Sequence, residues 1–379
     1  MIYHIYWGTA GNAGLYLDEI YQTLLEDGNE QRAFVSYYYP FEYGDKVFFK
    51  RTEMEHCQYR GWRRKVMQAF ELFIALFQIL FNAFKDKPKV VNYSYVSRGN
   101  RFILLFLRWL KRVSKCCLII TCHDVIPIID KKEVFDREIV IKRKIYALAD
   151  YYLVHTDNSK KELLGMFDVR EDKILMHQFP LMDLSKLDKE KTEPVVKYDF
   201  LFIGHMRPEK GIDILYNAWM DFHNVYPQSR LCIAGNPNYY QSYLEERKEQ
   251  CKNNNIELNL GFINDDDYIS LVKASHCVVF PYTGGTNSGV ISTVVSLNRD
   301  VITSDIGMFA DNYFVPKENM FRTGEIDSLF QKMVEYKKGL LVSDSKKRVD
   351  NYRNMFVDQV RTVYSITLQQ NRMNNLGVN

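Results

Sequence analysis

Short apolar runs and longer amphipathic stretches alternate along the whole chain. Each run is rich in β-branched and aromatic residues and is bounded by polar or turn-forming residues. Runs of this kind predict strands that are buried on both faces of a sheet. In the first half of the chain, the predicted strands cover residues 3–6, 33–37, 90–93, 117–121 and 151–154.

The second half of the chain repeats this rhythm, with predicted strands at 200–203, 231–234, 256–260, 277–280 and 301–303. Between the runs, apolar positions recur every three or four residues, which indicates helices. Strands that alternate with helices predict an α/β fold with parallel sheets covered on both faces. The predicted helices cover residues 62–84, 101–113, 137–148, 158–166, 212–223, 240–253, 266–273 and 289–297.

A charged segment without apolar periodicity, residues 183–199, separates the two series and is interpreted as a linker. The sequence therefore predicts two doubly wound, Rossmann-like domains, over residues 1–185 and 186–353. A further helix, at about 354–379, is predicted to pack back onto the first domain. Such domains bind ligands at the carboxyl ends of their strands, so we expect the two sheets to face a central cleft.

Cysteine usage and the N-terminal sequence favour a cytoplasmic protein. The seven cysteines are odd in number and lack metal-ligand spacing, which is typical of a reducing compartment. The first residues, MIYHIYWGTAG, contain neither a charged leader nor an apolar core segment, so no signal peptide is expected.

Positive charge is concentrated in one part of the chain, although the net charge is only +3. Residues 46–115 contain 16 Lys or Arg and 4 Asp or Glu, whereas the remainder contains 34 and 43. This asymmetry indicates an anionic partner for one surface. No nucleic-acid recognition motif accompanies it, so nucleic acid is not the expected partner.

Two apolar helices lie in this basic segment, beginning at RGWRRKVMQAF and RFILLFLRWLK. Apolar surface beside cations suits a helix that lies on an anionic membrane surface. Glu71 and Gln78 interrupt the first helix, so no transmembrane span is expected. The alternative is a buried helix that covers the first sheet. The predicted membrane contacts are Trp62, Arg63, Arg64, Lys65, Arg108, Lys111 and Arg112.

Two candidate sites follow strands of the first domain. The segment GTAGNAG, residues 8–14, lets the backbone approach an anion or a sugar at a helix start, so Gly11 and Asn12 are predicted acceptor contacts. Its spacing differs from the dinucleotide fingerprint. In TCHDVIP, His123 is predicted to bind a substrate hydroxyl, and Asp124 to orient it and contact the acceptor. The alternatives are a tight turn without ligand and a His satisfied by backbone groups.

Two further candidates follow strands of the second domain, in GHMRPEKG and PYTGGTNSGV. Arg207 and Lys210 in the first segment are predicted to stabilise a departing diphosphate. The small residues of the second segment expose amides at a helix start, where phosphate binds. A solvated charged loop and a capped helix without ligand are the alternatives. The predicted donor contacts are Gly204, Thr286, Asn287, Ser288, Gly289 and Val290.

No metal site is predicted. The acidic cluster at 265–267 follows a strand and precedes an apolar helix, which favours helix capping. His177, His205 and His276 lack partners at metal-ligand spacing.

Taken in order, these segments resemble the retaining glycosyltransferase family 4 over roughly residues 2–310. FLFIGHMRPEKG, RLCIAGNP and PYTGGTNSGV carry the resemblance in the second domain, and TCHDVIPI and ADYYLVHTDNSKKELL carry it in the first. It implies a GT-B fold, retention of anomeric configuration and no catalytic metal. By position, His123 matches the active-site His and Lys210 the phosphate-binding Lys. Gly289 and Val290 match the residues whose amides hold the donor phosphates.

The chain departs from the family's pattern at three positions. His205 stands where the family usually has Arg. The chain resembles a subgroup with an I-R-P-x-K-G-like loop, in which Arg207 takes over the role of that Arg. Gly285 and Thr293 stand where the family usually has two glutamates. The donor contacts made by those carboxylates are therefore expected from the neighbouring residues 286–288.

The resemblance implies transfer of a sugar from a UDP- or GDP-linked donor to a glycan acceptor, on a lipid carrier. We expect a role in bacterial surface polysaccharide or lipopolysaccharide synthesis, at the inner face of the plasma membrane. The nucleotide-sugar is a substrate, and no cofactor is expected. A catalytically inactive GT-B subunit that binds a glycan or a partner enzyme is the alternative, and a nucleotide-sugar epimerase is another.

Overall fold

The computed structural model describes residues 1–6, 13–36, 46–49, 61–95, 101–126, 132–181, 195–285, 289–311, 315–341 and 345–376. The chain forms two compact units. The first unit comprises Met1–Pro180 with Met355–Asn379, and the second comprises Leu181–Asn354. The predicted division fell at residue 185. Each unit is built on one parallel sheet, so the predicted α/β fold class is confirmed.

The first unit contains a seven-stranded parallel sheet with the order β3-β2-β1-β4-β5-β6-β7. The chain runs outward from β1 in one direction and from β4 in the other, so the strand order reverses between these two strands. Strands β1 and β5 are buried along their whole length, which explains their continuous apolar sequences. The strands are β1 (Ile2–Tyr6), β2 (Gln31–Ser36), β3 (Lys46–Phe49), β4 (Val90–Tyr95), β5 (Cys117–Cys122), β6 (Tyr151–Val154) and β7 (Ile174–Met176).

The helices that precede or follow these strands bury one side against the sheet. Leu107 and Leu110 lie in the same buried cluster as Leu118 and Ile120 of β5. Thr156 caps the last of these helices by accepting a hydrogen bond from the Ser159 amide, at 3.0 Å. The helices are α1 (Ala13–Glu26), α2 (Gly61–Asp86), α3 (Arg101–Ser114), α4 (Lys132–Tyr146) and α5 (Asp157–Met166).

The second unit contains a six-stranded parallel sheet with the order β10-β9-β8-β11-β12-β13. Here the strand order reverses between β8 and β11. The strands are β8 (Tyr198–Ile203), β9 (Leu231–Gly235), β10 (Ile256–Leu260), β11 (Ser275–Phe280), β12 (Asp300–Ser304) and β13 (Met320–Phe321). The helices are α6 (Ile212–Val225), α7 (Gln241–Glu246), α8 (Lys248–Asn253), α9 (Asp265–Lys273), α10 (Gly289–Ser296), α11 (Gly307–Ala310) and α12 (Ile326–Lys337).

The last helix, α13 (Ser345–Leu376), completes the first unit with its C-terminal part. Tyr364 accepts a buried hydrogen bond from Asn92 Nδ2 of β4, at 2.8 Å. Arg361 forms a bidentate ion pair with Asp27, with nitrogen–oxygen distances of 2.8 to 3.0 Å. These contacts fix the register of the helix on the unit.

Three strands escaped prediction because β3, β7 and β13 are short and lie at sheet edges. The predicted helix at 240–253 is two helices, which meet at Arg247. The Arg247 guanidinium donates to the carbonyl oxygen of Tyr243, at 3.1 Å, and the Arg247 amide donates to the carbonyl oxygen of Leu244. Helix α4 begins at Lys132 rather than at residue 137. Residues 198 and 199 of the predicted linker belong to β8, and its residues 183–194 lie outside the described part of the chain.

Candidate active site

The two segments predicted to bind phosphate follow adjacent strands of the second sheet. Residues 204–211 follow β8, and residues 281–285 follow β11. The strand order reverses between these two strands, so their loops open the crevice where ligands bind in doubly wound sheets. The structure therefore brings both predicted segments to one place.

Direct backbone contacts hold these two loops together. The amide of Thr283 donates to the carbonyl of Glu209, at 2.9 Å. Gly211 has φ +63°, and a Cβ built on it would lie 2.0 Å from the carbonyl oxygen of Pro281. Only glycine permits both this conformation and this approach.

The two cationic side chains of the first loop have different surroundings. Lys210 Nζ lies 3.6 Å from the ring centroid of Tyr282, a cation–π contact between the two loops. Tyr282 is buried and packs against Phe280 and Phe309. Arg207 pairs with Glu209, at 3.6 Å, and its side chain remains 42% exposed. The second loop therefore positions the Lys210 ammonium, whereas the Arg207 side chain stays accessible to solvent.

The backbone of Gly204, at the end of β8, lies against the backbone of Gly235. A Cβ on Gly235, at the end of β9, would lie 2.0 Å from the Gly204 carbonyl oxygen. The amide of Met206 donates to the carbonyl of Asn236, at 2.9 Å. The loop after β9 thus supports the loop that carries Arg207.

Helix α10 begins at Gly289, and the described part of the second loop ends at Gly285. The amides of Gly289 and Val290 lie in the first turn of the helix, whose N–H groups have no partner within the helix. Such amides attract anions. The predicted contacts Thr286, Asn287 and Ser288 lie outside the described residues, so their roles stay predictions.

The two positions that lack the family's glutamates have other structural roles. Gly285 has φ +132°, a conformation that strains any residue with a Cβ. Thr293 is buried, and its hydroxyl lies 2.6 Å from the Tyr268 hydroxyl and donates to the carbonyl of Val290. Thr293 therefore ties α9 to the first turn of α10.

The acidic cluster at 265–267 belongs to the start of α9, as the sequence predicted. Asn264 is the cap and accepts a hydrogen bond from the Asp267 amide, at 2.9 Å. Among the residues that the structure describes, no group of three His, Cys, Asp or Glu side chains is arranged to hold a metal ion.

In the first unit, three histidine rings meet at the carboxyl ends of adjacent strands. His123 follows β5, His155 follows β6 and His177 follows β7. His155 Nε2 lies 3.3 Å from His123 Nδ1, and His155 Nδ1 lies 3.2 Å from the carbonyl oxygen of His177. His177 Nε2 lies 3.0 Å from the Tyr16 hydroxyl. Sequence reasoning missed His155 and discounted His177, although each directly follows a strand, as His123 does.

Burial keeps these three rings uncharged at neutral pH. It lowers the pKa of His123 to about 4, against an opposing effect of the Asp124 carboxylate. Burial also lowers the pKa of His177 to about 4. The pKa of His155 is lowered well below its ordinary value, by burial and then by the other two rings.

The hydrogen bonds assign a tautomer to each ring. A carbonyl oxygen only accepts, so His155 Nδ1 carries the proton and its Nε2 is an acceptor. His123 Nδ1 therefore donates to His155, and His123 Nε2 carries a lone pair. His123 is thus prepared to accept a hydrogen bond from a hydroxyl group.

The remaining predicted contacts of the first unit have different outcomes. Gly11 and Asn12 lie outside the described residues. Asp124 is half-buried, and its carbonyl oxygen accepts from Lys142 Nζ, at 2.6 Å. The orienting partner that the structure identifies for His123 is His155, whereas Asp124 acts on His123 through its charge.

Six of the seven predicted membrane contacts are exposed or half-buried on α2 and α3 without an intramolecular ion pair among the described residues: Trp62, Arg63, Arg64, Lys65, Arg108 and Arg112. Lys111 differs from these six residues because it is half-buried and has partners within the first unit. Its Nζ bonds the Asp150 carboxylate at 2.8 and 2.9 Å and the Leu148 carbonyl at 2.8 Å, so it holds α3 to the start of β6.

Part of the second unit matches a known protein family. Residues 185–312, which include both loops and α10, match the family model of glycosyl transferases group 1. No curated protein sequence matches the chain.

Solved structures show similarity over nearly the whole chain. The Anabaena protein HepE, solved with UDP and glucose, is 16% identical, with a TM-score of 0.64 and coverage of 97% of this chain and 99% of that one. A glycosyltransferase from Rickettsia africae is 16% identical, with a TM-score of 0.62 and 97% coverage of both chains. The lipopolysaccharide outer core galactosyltransferase WaaB is 12% identical, with a TM-score of 0.60, covering 96% and 99%. At these identities the similarity is one of fold, and the fold is GT-B.

Proposed function

We propose that the protein is a glycosyltransferase that moves a sugar from a nucleotide-sugar donor to a glycan acceptor. One observation carries the proposal: the loop that holds Arg207 and Lys210 contacts the loop after β11, the segment that precedes α10, where the strand order reverses. Two cations and a helix start are suited to a diphosphate. The family match over residues 185–312 supports the same assignment.

The chemistry needs a site that stabilises a departing diphosphate. The bond between the anomeric carbon and the diphosphate oxygen breaks, and the acceptor oxygen bonds to that carbon. Arg207 and Lys210 stabilise the negative charge that develops on the leaving oxygens. The diphosphate takes the proton of the acceptor hydroxyl, so neither a metal ion nor a cofactor enters the proposed reaction. Following the family resemblance, the anomeric configuration is retained.

His123 is assigned to a substrate hydroxyl. Its Nε2 accepts such a hydrogen bond in the tautomer that His155 imposes. Since its pKa is lowered to about 4, the ring orients the substrate without adding positive charge.

A lipid-linked acceptor and a role in surface polysaccharide or lipopolysaccharide synthesis complete the proposal. The structural relative WaaB is described as a lipopolysaccharide outer core galactosyltransferase. HepE was solved with UDP, with UDP-glucose, and with UDP and glucose. UDP is therefore the first nucleotide to test, followed by GDP.

Substitution of the two cations tests the donor site. We expect Arg207→Ala and Lys210→Ala each to weaken UDP binding about tenfold and to slow transfer about 100-fold. Each variant lacks one positively charged side chain that is proposed to contact the diphosphate. Isothermal titration calorimetry and product formation from UDP-sugars measure the two effects. His205→Ala is the matched control, since His205 is exposed on the same loop. Wild-type binding and rates in both cation variants would contradict the assignment.

A catalytically inactive subunit is the second candidate, and the residues at the two glutamate positions favour it. Gly285 and Thr293 bring no carboxylate to the donor site. This candidate predicts no turnover of any nucleotide-sugar while a glycan or a partner enzyme still binds. Product analysis across UDP- and GDP-sugars, with and without acceptor, separates it from a transferase, and also from an epimerase.

A further inference from the structure

The outer side of α2 carries a row of large apolar side chains. Phe70, Phe73, Phe77, Phe81 and Phe84 recur at intervals of three or four residues, so they lie along one side of the helix. Each of these side chains is between 57% and 69% exposed. Trp62, at 71% exposure, and Val66 continue the row toward the start of the helix.

Helix α3 packs beside α2 and extends this surface. Its exposed side carries Phe102, which is 70% exposed, together with Leu105 and Trp109. We call the exposed apolar residues of the two helices the aromatic face. Single exposed apolar side chains are ordinary, whereas a contiguous group of this size marks an interaction surface.

The orientation of α2 is fixed by the opposite side of the helix. Ala75, Ile79 and Ala83 are fully buried in the core of the first unit. Near the end of the helix, Arg32 of β2 donates to Asn82, at 2.7 Å, and pairs with Asp86. The aromatic face therefore points away from the sheet.

These contacts also decide how the helix can meet a membrane. Among the described residues, α2 is the helix that is long and apolar enough to cross a bilayer by length and composition. Crossing would remove Ala75, Ile79 and Ala83 from the core and break the contacts of Asn82 and Asp86. A helix that stays packed on its sheet can lie only in the plane of the membrane surface.

Cations surround the aromatic face. Arg63 lies over the Trp62 ring, at 5.8 Å, and Arg112 over the Trp109 ring, at 5.9 Å. Lys87 Nζ lies 4.6 Å from the Phe84 ring centroid. The acidic side chains within α2 and α3 are Glu71 and Asp86, and Asp86 is neutralised by Arg32. The remaining exposed cations on these two helices are Lys65, Lys85, Arg101 and Arg108.

We propose that the aromatic face binds the surface of an anionic lipid bilayer, with α2 and α3 in the membrane plane. The aromatic rings enter the boundary between headgroups and acyl chains, and the surrounding Arg and Lys side chains contact lipid phosphates. Charge complementarity selects this occupant, because an apolar face ringed by cations matches a negatively charged interface. This inference does not depend on the donor site of the second unit.

Vesicle co-sedimentation of the full chain tests the proposal. We expect binding to vesicles of phosphatidylcholine with 30% phosphatidylglycerol, and binding weaker by about tenfold or more to phosphatidylcholine alone. The triple variant Phe73→Ser, Phe77→Ser, Phe81→Ser should lose about tenfold or more in partitioning. Brominated lipids should quench tryptophan fluorescence in the wild type, and this quenching should disappear in the double variant Trp62→Phe, Trp109→Phe.

The matched control removes exposed aromatic residues from the second unit. Tyr239→Ser with Phe262→Ser, at side chains 64% and 76% exposed, should bind vesicles like the wild type. Circular dichroism and thermal unfolding confirm that each variant is folded. The proposal fails if the wild type stays in the supernatant with both vesicles, or if the folded triple variant binds as the wild type does. It also fails if the face instead joins two copies of the chain, seen as a dimer that the triple variant abolishes, without vesicle binding.

Discussion

At the scale of single residues, hydrogen bonds decide which protons the histidines carry. The carbonyl of His177 fixes the tautomer of His155, and His155 fixes that of His123. The lone pair on His123 Nε2 is therefore set by a residue that lies one strand away. His155 is a positioning residue. Of the three clustered histidines, His123 is the one that is proposed to contact the substrate.

Substitution of His155 tests this relay. We expect His155→Phe to lower kcat about tenfold, because His123 Nδ1 loses its acceptor and the ring adopts both tautomers. His155→Gln keeps an acceptor oxygen and should recover a measurable part of the loss. Nitrogen-15 NMR of the His123 ring reports the tautomer directly. A His155→Phe protein with wild-type kcat and an unchanged tautomer signal would show that the relay has no role.

At the scale of elements, the donor site depends on how closely the loops after β8 and β11 approach each other. The backbone of Gly211 lies so close to the carbonyl of Pro281 that no Cβ would fit between them. The amide of Thr283 donates to the carbonyl of Glu209. The cation–π contact between Lys210 and Tyr282 depends on the same approach. A disturbance of this junction should therefore affect ligand binding as well as stability.

Gly211→Ala tests the junction. The new Cβ would overlap the Pro281 carbonyl and occupy φ +63°, so we expect the second unit to lose at least about 2 kcal/mol of unfolding free energy. Urea denaturation measures this loss, and calorimetry should show weaker UDP binding. Gly284→Ala is the matched control, because its Cβ would make only an ordinary 3.6 Å contact with Glu209 Cβ. Equal stability of the two variants would argue against the junction.

The elements also show what the sequence can and cannot reveal. The central strands were predictable because burial on both faces makes them continuously apolar, whereas the two residues of β13 leave no pattern. The position of the two loops that are predicted to bind phosphate followed from their place after strands. The histidine cluster was not, because its rings are 22 to 54 residues apart along the chain and meet only through strand order.

Helix α2 shows a different limit of sequence periodicity. Gln78 and Asn82 form part of a narrow polar stripe in the sequence, which suggests the solvent side of a buried helix. In the structure, Asn82 bonds Arg32 near the sheet and Gln78 is exposed, while the phenylalanine row is exposed as well. Periodicity identifies one apolar side but does not tell a core from a surface that binds a partner.

At the scale of the whole molecule, the two units differ in their buried histidines. The first unit contains the buried His4, His155 and His177 and the half-buried His123, and burial lowers the pKa of His4 to about 4 as well. In the second unit, His205 and His276 are exposed and His223 is half-buried. Acid should therefore act unequally on the two units.

Thermal unfolding across pH tests this difference. Below the unfolded pKa of 6.5, the unfolded chain binds protons that the folded rings exclude, so stability is greatest above pH 6.5 and falls toward pH 4. The loss from any one ring is at most about 1.4 kcal/mol per pH unit. Calorimetric scans at pH 7.5 and 5 should show a lower first-unit transition in acid. His177→Gln should reduce that dependence, whereas the exposed-site variant His205→Gln should not.

The aromatic face also has a consequence for handling the protein. A surface that presents rows of bare phenylalanine and tryptophan to water will adsorb to plastic and chromatography resin and will self-associate as concentration rises. Mild detergent or lipid nanodiscs should keep it monodisperse, because they shield those rings. High-salt buffers without amphiphile are the conditions in which precipitation is expected first, because salt screens the repulsion between the cations around the face and strengthens apolar association.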